Sequence, residues 1–181
     1  MPQTKPQLIC LIGAECTGKT TLAQRLAEDC SGRWVPERLR LFCDALERTP
    51  LQPEQINLLE QQAHDEMLAL EEATRHQQRY VFCDTAPLLT AVYSEFVFGD
   101  TSLYPRAREL HARYAMTLVM VPDLPWIADG LQRDGAHVQQ PIHNRLLREL
   151  QTIACPMVQI SGSGETRTQQ ALQVLASFAA H

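Results

Sequence analysis

The sequence holds six cysteines, at positions 10, 16, 30, 43, 83 and 155, yet no C-x-x-C pair. That scatter argues against the common zinc frameworks, and the six histidines lack ligand spacing as well. The cysteines are therefore expected to be buried, reduced thiols of a cytoplasmic protein. Long apolar runs are also missing: the longest are strand-sized and too short to span a membrane. The polar, proline-rich opening MPQTKPQ leads us to expect no signal peptide. Basic side chains are in deficit, 16 Lys and Arg against 21 Asp and Glu, and they form no long run. Nonspecific binding along nucleic acid, which needs clustered positive charge, is not expected.

What is present reads as one domain over residues 1–181. We find no internal repeat, linker or low-complexity segment, and 45% hydrophobic residues suffice for a sizeable core. Five short apolar runs alternate with longer helical patterns: Leu8–Ile12, Trp34–Val35, Tyr80–Cys83, Met116–Val121 and Met157–Ile160. This alternation predicts an α/β fold, a five-stranded parallel sheet with helices on both faces. The unbroken apolar character of LICLI and TLVMV suits central strands covered on both sides. Helices are predicted over Lys19–Asp29, Glu37–Glu47, Pro53–Arg75, Pro87–Phe98, Pro105–Tyr114, Gln140–Ile153 and Thr166–Ala179. Pro53 suits a helix start, where its missing N–H is not needed. In the longest helix, Ile56, Leu59, Ala63, Met67 and Leu70 are expected to form the core-facing stripe. Residues 122–141 carry three prolines and two glycines and read mostly as a loop, long enough to serve as a lid.

Gly13-Ala14-Glu15-Cys16-Thr17-Gly18-Lys19-Thr20 matches G-x-x-x-x-G-K-[ST], with Thr21 following. The glycines let the backbone close around a phosphate, and successive N–H groups form an anion-binding concavity. The helix beginning near Gly18 adds its positive dipole end. Lys19 should reach the β- and γ-phosphates, and the Thr20 hydroxyl should ligate Mg²⁺. Strand before and helix after supply the context that the motif requires, so a nucleoside triphosphate such as ATP is the expected ligand. Cys16 is expected to be a small residue filling the tight loop. Glu15 is expected to point outward, without a catalytic role.

Asp84 ends the third apolar run, in YVFCDTAPL, where a carboxylate can bind Mg²⁺ directly or through water, or act as the base. A motor ATPase would place a water-activating glutamate beside it, and here the next residue is Thr85. A GTPase would carry N-K-x-D after a later strand, and PDLPW offers nothing of that kind. What remains is transfer to a small-molecule hydroxyl. Glu37 and Arg38, just beyond the second run in VPERLR, lie where doubly wound folds bind ligands. Glu37 can take a hydroxyl proton or hold a sugar, and Arg38 or Arg40 can contact phosphate. Equally, these charges suit a solvated first helical turn, with Glu37 near its positive end. In the lid, Arg133 is the candidate to neutralise charge on the moving phosphoryl group, with Arg145 and Arg148 behind it. Trp126 suits stacking on an aromatic substrate or packing of the lid hinge, and Asp129 lies close by.

Together, GAECTGKTTL, VPERLR, FCDTAPLLTAVYSE and PWIADGLQRDG resemble the ATPase/kinase domain of the bacterial bifunctional NAD-biosynthesis regulator and its stand-alone relatives, often labelled AAA-family ATPases. The resemblance spans nearly the whole chain. It implies the nucleoside-monophosphate-kinase fold, a three-layer α/β/α P-loop NTPase with a lid. It also implies transfer of the γ-phosphate of ATP to the ribose 5′-hydroxyl of nicotinamide riboside. In that case Gly13, Gly18, Lys19 and Thr20 bind ATP and Mg²⁺, Asp84 acts at the reacting centre, and Glu37 and Trp126 belong to the nucleoside side. The regulator's adenylyltransferase and DNA-binding activities are not expected of this chain. Two other readings stand beside this one: a kinase for another nucleoside, and a nucleotide-dependent switch or assembly ATPase with a protein partner. The oligomeric state is left open.

Overall fold

A computed structural model describes residues 5–127 and 135–179. Five strands form one parallel sheet: β1 (Gln7–Ile12), β2 (Arg33–Val35), β3 (Tyr80–Asp84), β4 (Met116–Met120) and β5 (Met157–Ile160), in the order β2-β3-β1-β4-β5. The helices are α1 (Lys19–Asp29), α2 (Arg38–Leu46), α3 (Gln55–Arg75), α4 (Pro87–Phe98), α5 (Tyr104–His111), α6 (Ala136–Leu150) and α7 (Gly164–Ala179). A short 3₁₀ turn, Gln52–Glu54, precedes α3. Among the described residues, no helix is long and apolar enough to cross a membrane.

The three layers follow from the period-2 alternation of the central strands. Leu8, Cys10 and Ile12 of β1 join a core built with α3, α4, α5 and α6, while Ile9 and Leu11 join a second core beneath α1 and α7. In β3, Val81 and Cys83 go to the first core, and Tyr80 and Phe82 to the second. Both faces are apolar and covered, so these strands read in the sequence as unbroken hydrophobic runs.

Two expectations about helices are corrected. The stripe predicted for α3 is rotated: Ile56 and Met67 are 39% and 43% exposed, whereas Gln55, Leu58, Gln62, Glu66 and Ala69 are buried with Leu59 and Ala63. Two polar members of this face, Gln62 and Glu66, find partners outside the helix. Gln62 Oε1 accepts the Arg38 N–H at 2.9 Å, and Gln62 Nε2 donates to Glu66 Oε1 at 3.3 Å. The Tyr114 hydroxyl donates to Glu66 Oε1 at 2.6 Å and Arg113 to Glu66 Oε2 at 3.0 Å. Second, α6 begins at Ala136 rather than Gln140 and continues through Pro141, so the lid loop is shorter than 122–141. Burial of Val138 and Ile142 one turn apart, and the docking of Gln139 on the loop after β1, offset the helical hydrogen bond that Pro141 cannot donate.

Glu66 ties α3 to the turn between α5 and β4, and burial pushes its carboxyl up to about 7 against the opposing pull of Tyr114, Arg113 and Gln62. The folded state therefore holds this proton more tightly than the unfolded chain. The associated stability is fully present below about 4.5 and is lost as pH rises through 7. Comparing Glu66→Gln with the parent by denaturant titration from pH 4.5 to 7.5, we expect the parent to lose on the order of 3 kcal/mol more stability than the variant. Parallel curves would remove this role from Glu66.

Candidate functional site

The loop from Gly13 to Gly18 joins β1 to α1 and lies against the end of β4. A Cβ on Gly13 would stand 2.9 Å from both the Cβ and the carbonyl oxygen of Met120, so no side chain fits there. Gly18 caps α1 at φ 75°, and Cys16 takes φ 55° inside the loop. The Lys19 Nζ donates to the Ala14 carbonyl at 2.9 Å and the Thr17 hydroxyl donates to the same oxygen at 2.8 Å. The Cys16 Sγ donates to the Ile127 carbonyl at 3.2 Å. Glu15 does not point outward: it is 8% exposed and lines the adjoining cavity. Its backbone carbonyl is held from outside by Gln139 Nε2 at 2.8 Å. A further brace comes from α7, where buried Arg167 donates to the carbonyls of Thr17 and Gly162 and pairs with Asp123.

The register of β1 with β3 sets Leu11 opposite Asp84, and the Thr85 N–H donates to the Leu11 carbonyl at 2.9 Å. Asp84 is thus delivered beside α1, where the Thr20 hydroxyl donates to its Oδ2 at 2.6 Å. Its Oδ1 is buried and has no hydrogen-bond partner among the described residues. Burial, then the neighbouring Glu37 charge, raise the Asp84 carboxyl to about 6, with Lys19 and Thr20 pulling the other way. Glu37 caps α2 and accepts a hydrogen bond from the Thr85 hydroxyl at 3.1 Å. Thr85 itself sits at φ 76°, a left-handed conformation that strains a β-branched residue. Such strain gathers where surrounding structure over-determines a functional geometry.

A cavity of about 570 Å³ opens beside the phosphate loop. Its walls include residues 15–21, Glu37 and Thr85, together with Leu51, Gln55, Val97 and Phe98. Asp84 lies behind this surface, 1% exposed. The set fits Mg²⁺, which is held by one or two carboxylates plus phosphate oxygens. The Thr20 hydroxyl and the Asp84 carboxylate are the oxygens that would hold it. Among the described residues no cluster of three His, Cys, Asp or Glu is arranged as a protein-only metal cage.

Other predicted residues fare differently. Arg38 lines the cavity, but its guanidinium engages Asp65 through two nitrogens at 3.0 Å each. Trp126 is half-buried beside the phosphate loop and does not line the cavity. Arg145 and Arg148 pair with Glu95 at 3.7 and 3.5 Å. Asp129 and Arg133 lie outside the described residues. Sequence reasoning missed Gln55, Gln62, Thr85 and Arg167 as contributors. Only Thr85 carried a signal, its place beside the strand-end aspartate.

At Thr85 a Cβ is itself the source of strain. Thr85→Ala keeps the Cβ while losing the hydroxyl, whereas Thr85→Gly removes both. We therefore expect the Gly variant to be more stable than the Ala variant by about 1 kcal/mol, seen as the higher Tm. The opposite order would mean that no strain is stored there.

Comparisons with known proteins fit this architecture. A crystal structure of NadR protein in complex with NR superposes with a TM-score of 0.80 at 21% identity, covering 98% of this chain and 52% of that one. NadR protein in complex with NAD and AMP-PNP gives 0.80 at 22%, covering 96% and 50%. This chain thus spans about half the length of the NadR chains that it matches. Thymidylate kinase from Candida albicans matches with a TM-score of 0.62 at 16% identity, covering 96% of this chain and 92% of that one. At these identities the likeness establishes the fold, an α/β P-loop architecture of the nucleoside-monophosphate-kinase type. A search of curated proteins finds no match. The family model of the AAA domain matches residues 8–167, and by that match the chain belongs to the AAA domain family.

Proposed function

We propose that this protein is an ATP-dependent small-molecule kinase whose acceptor is a nucleoside hydroxyl, nicotinamide riboside being the favoured one. The observation that carries the reading is the pairing of a phosphate loop with two carboxylates, Asp84 beside Thr20 and Glu37 facing the cavity. Support for the nucleoside comes from the cavity's size and from the fold shared with NadR, whose structure holds NR.

In this reading, the loop from Gly13 to Thr20 and the Lys19 ammonium hold the triphosphate, and Thr20 with Asp84 holds Mg²⁺. Magnesium supplies charge neutralisation on the phosphate oxygens. The acceptor hydroxyl oxygen bonds to the γ-phosphorus while the bond from that phosphorus to the β,γ-bridging oxygen breaks, and ADP leaves. The hydroxyl proton passes to Glu37, which Thr85 orients from the strand end. Loose phosphoryl-transfer transition states demand little from a base, so the chief contribution of Glu37 is to aim the hydroxyl. Arg133 and Asp129 of the lid, and Trp126 at its hinge, remain candidates to close over the transferring group.

The charge arrangement favours an alcohol acceptor over a phosphorylated one. Glu37 faces the cavity, Asp84 lies close behind, and the Arg38 guanidinium is taken by Asp65. Although Arg40 also lines the cavity, a second phosphate entering here would be repelled by these two carboxylates, whereas a neutral sugar or cationic ring would not be.

The test is ADP release with MgATP, with and without nicotinamide riboside and other nucleosides. We expect ADP to appear only when an acceptor is present, and Lys19→Ala and Asp84→Asn each to lower turnover by about 100-fold or more while the fold persists. Turnover without acceptor would favour the switch or assembly ATPase instead. In the same assay kcat/KM should fall as pH drops through about 6, where Asp84 takes up its proton. Glu37→Gln should move that limb to lower pH, because it removes a charge that raises the Asp84 carboxyl.

A further inference from the structure

Two residues of the phosphate loop take left-handed backbone, Gly18 at φ 75° and Cys16 at φ 55°. Glycine adopts that conformation freely, whereas a residue with a Cβ is strained in it. The φ angle of residue 16 records how the peptide joining Glu15 to Cys16 is turned, and Gln139 holds that peptide. Its Nε2 donates to the Glu15 carbonyl at 2.8 Å, across 124 positions of the chain. The peptide before Gly18 is held in the same manner, since Arg167 donates to the Thr17 carbonyl. Each left-handed residue of the loop thus has the carbonyl ahead of it pinned by a buried side chain, one from α6 and one from α7. Gly18 needs the pin less, because it carries no Cβ. Cys16 is where a restraint has strain to oppose.

A trans peptide is planar, with its carbonyl and N–H pointing in opposite directions. Gln139 does not line the cavity, so its pull on the Glu15 oxygen leaves the Cys16 N–H aimed into the concavity that binds anions. Released, the peptide would turn to relieve Cys16 and bring a carbonyl oxygen where that N–H stood, against phosphate. The motif supplies no substitute for this restraint. Its own side chains, Lys19 and Thr17, hold the Ala14 carbonyl, and Lys19 is the group expected to move to the β- and γ-phosphates. Gln139 sits 8% exposed in α6 beside buried Val138 and Ile142, where a leucine would pack without burying a polar group. The bond to the loop gives the amide its reason to be there.

We propose that Gln139 is a positioning residue for nucleotide binding: by pinning the Glu15 carbonyl it keeps Cys16 left-handed and the loop's N–H groups turned towards phosphate. The assignment rests on the triphosphate half of the kinase reading above, and adds to it a side chain from outside the loop that never meets the nucleotide. The strain is local to Cys16, and the group that opposes it comes from a helix far along the chain.

The experiment measures MgATP binding by calorimetry, with no acceptor present, in the parent, Gln139→Met, Gln139→Glu and the double variant Gln139→Met with Cys16→Gly. Methionine keeps the length of the side chain and loses the donor, while glutamate keeps the shape and turns an acceptor on the carbonyl. We expect Kd to rise about 5- to 10-fold in Gln139→Met and further in Gln139→Glu. Glycine takes left-handed backbone unaided, so adding Cys16→Gly should return the Gln139→Met Kd to within about threefold of the parent. In turnover the KM for ATP should rise with Kd while the KM for the acceptor stays within about twofold, a split that general loosening of the fold would not produce. Melting without ligand checks that each variant folds. Should Gln139→Met not fold, Gln139→Glu with and without Cys16→Gly makes the same comparison. An unchanged Kd in Gln139→Met, or a loss that Cys16→Gly leaves in place, would overturn the assignment and leave the kinase reading standing. MgATP binding that follows the expected order without turnover on any nucleoside would support Gln139 and reject the kinase reading. A parent that gives no heat with MgATP would overturn both.

Discussion

The parallel pairing of β1 with β3, with Leu11 opposite Asp84, is the constraint on which the site depends. It brings the phosphate loop and the acidic strand end to the same level, and the hydrogen bond from the Thr85 N–H to the Leu11 carbonyl closes the ladder just beyond. Alternation then decides which side each residue serves. Asp84 shares a face with Tyr80 and Phe82, which pack into the core beneath α1, and α1 is the helix that presents Thr20. A slip of one residue would turn the carboxylate towards α3 and leave Thr20 without it. Hydrophobic burial on both faces of the sheet prevents that slip, because the same shift would exchange Val81 and Cys83 with Tyr80 and Phe82. The core therefore fixes chemistry at the strand ends as well as stability.

What the core secures, the site partly spends. Asp84 is buried with one oxygen unsatisfied, a second carboxylate stands close by, and Thr85 holds a left-handed backbone. None of these is the locally preferred choice, and their convergence within a few residues marks a site rather than a packing fault. The inward polar face of α3 extends the same logic. Glu66 orients the Gln62 amide, and Gln62 accepts the first N–H of α2, so the helix that begins just after Glu37 is anchored to the interior by side chains. Arg38 and Asp65 add an ion pair between the same two helices. The Glu37 carboxylate thus has its backbone fixed from α3 and its oxygen fixed from Thr85.

Strands and the phosphate loop were legible because their signals are local. Two-sided burial writes an unbroken apolar run, and the spacing of Gly13, Gly18, Lys19 and Thr20 needs no tertiary information. The five-stranded parallel sheet followed from alternation, and α1 and α4 lie at the predicted residues. The buried face of α3 was not legible, since hydrophobic periodicity counts Gln62 and Glu66 as solvent-facing. The partners of Glu66, Arg113 and Tyr114, lie almost fifty positions away, and Gln62 is met by the Arg38 N–H from 24 positions before it. The start of α6 was misplaced because a proline usually opens or ends a helix, and here Val138, Gln139 and Ile142 have contacts that carry the helix past it. Glu15 was misread for a related reason: beside phosphate a carboxylate looks misplaced, and the docking of α6 on its backbone carbonyl leaves no trace in the local sequence. In the candidate site, Glu37 and Asp84 were found as strand-end acids, while Thr85 acquires meaning only from its φ angle and its reach to Glu37.

Arg167 shows how far the site's support extends beyond the residues that meet substrate. One guanidinium at the start of α7 joins the Thr17 carbonyl in the phosphate loop, the Gly162 carbonyl after β5, and Asp123 after β4. Three segments that leave the carboxyl ends of β1, β4 and β5 are thereby tied at one point, and Asp123 also accepts the Gly162 N–H at 2.7 Å. A planar group with several fixed donors can make this junction, whereas a lysine could not satisfy the same carbonyls and carboxylate together. Since the loop must present its N–H groups in a fixed array, bracing it from behind limits how far its backbone can relax. The charge is well placed too, being buried but matched by Asp123, so it steadies the loop without leaving an unpaired ion in the interior. Phosphate recognition in this fold thus rests on the loop's own glycines in front and on a buried arginine behind, and the second half of that arrangement has no mark in the motif.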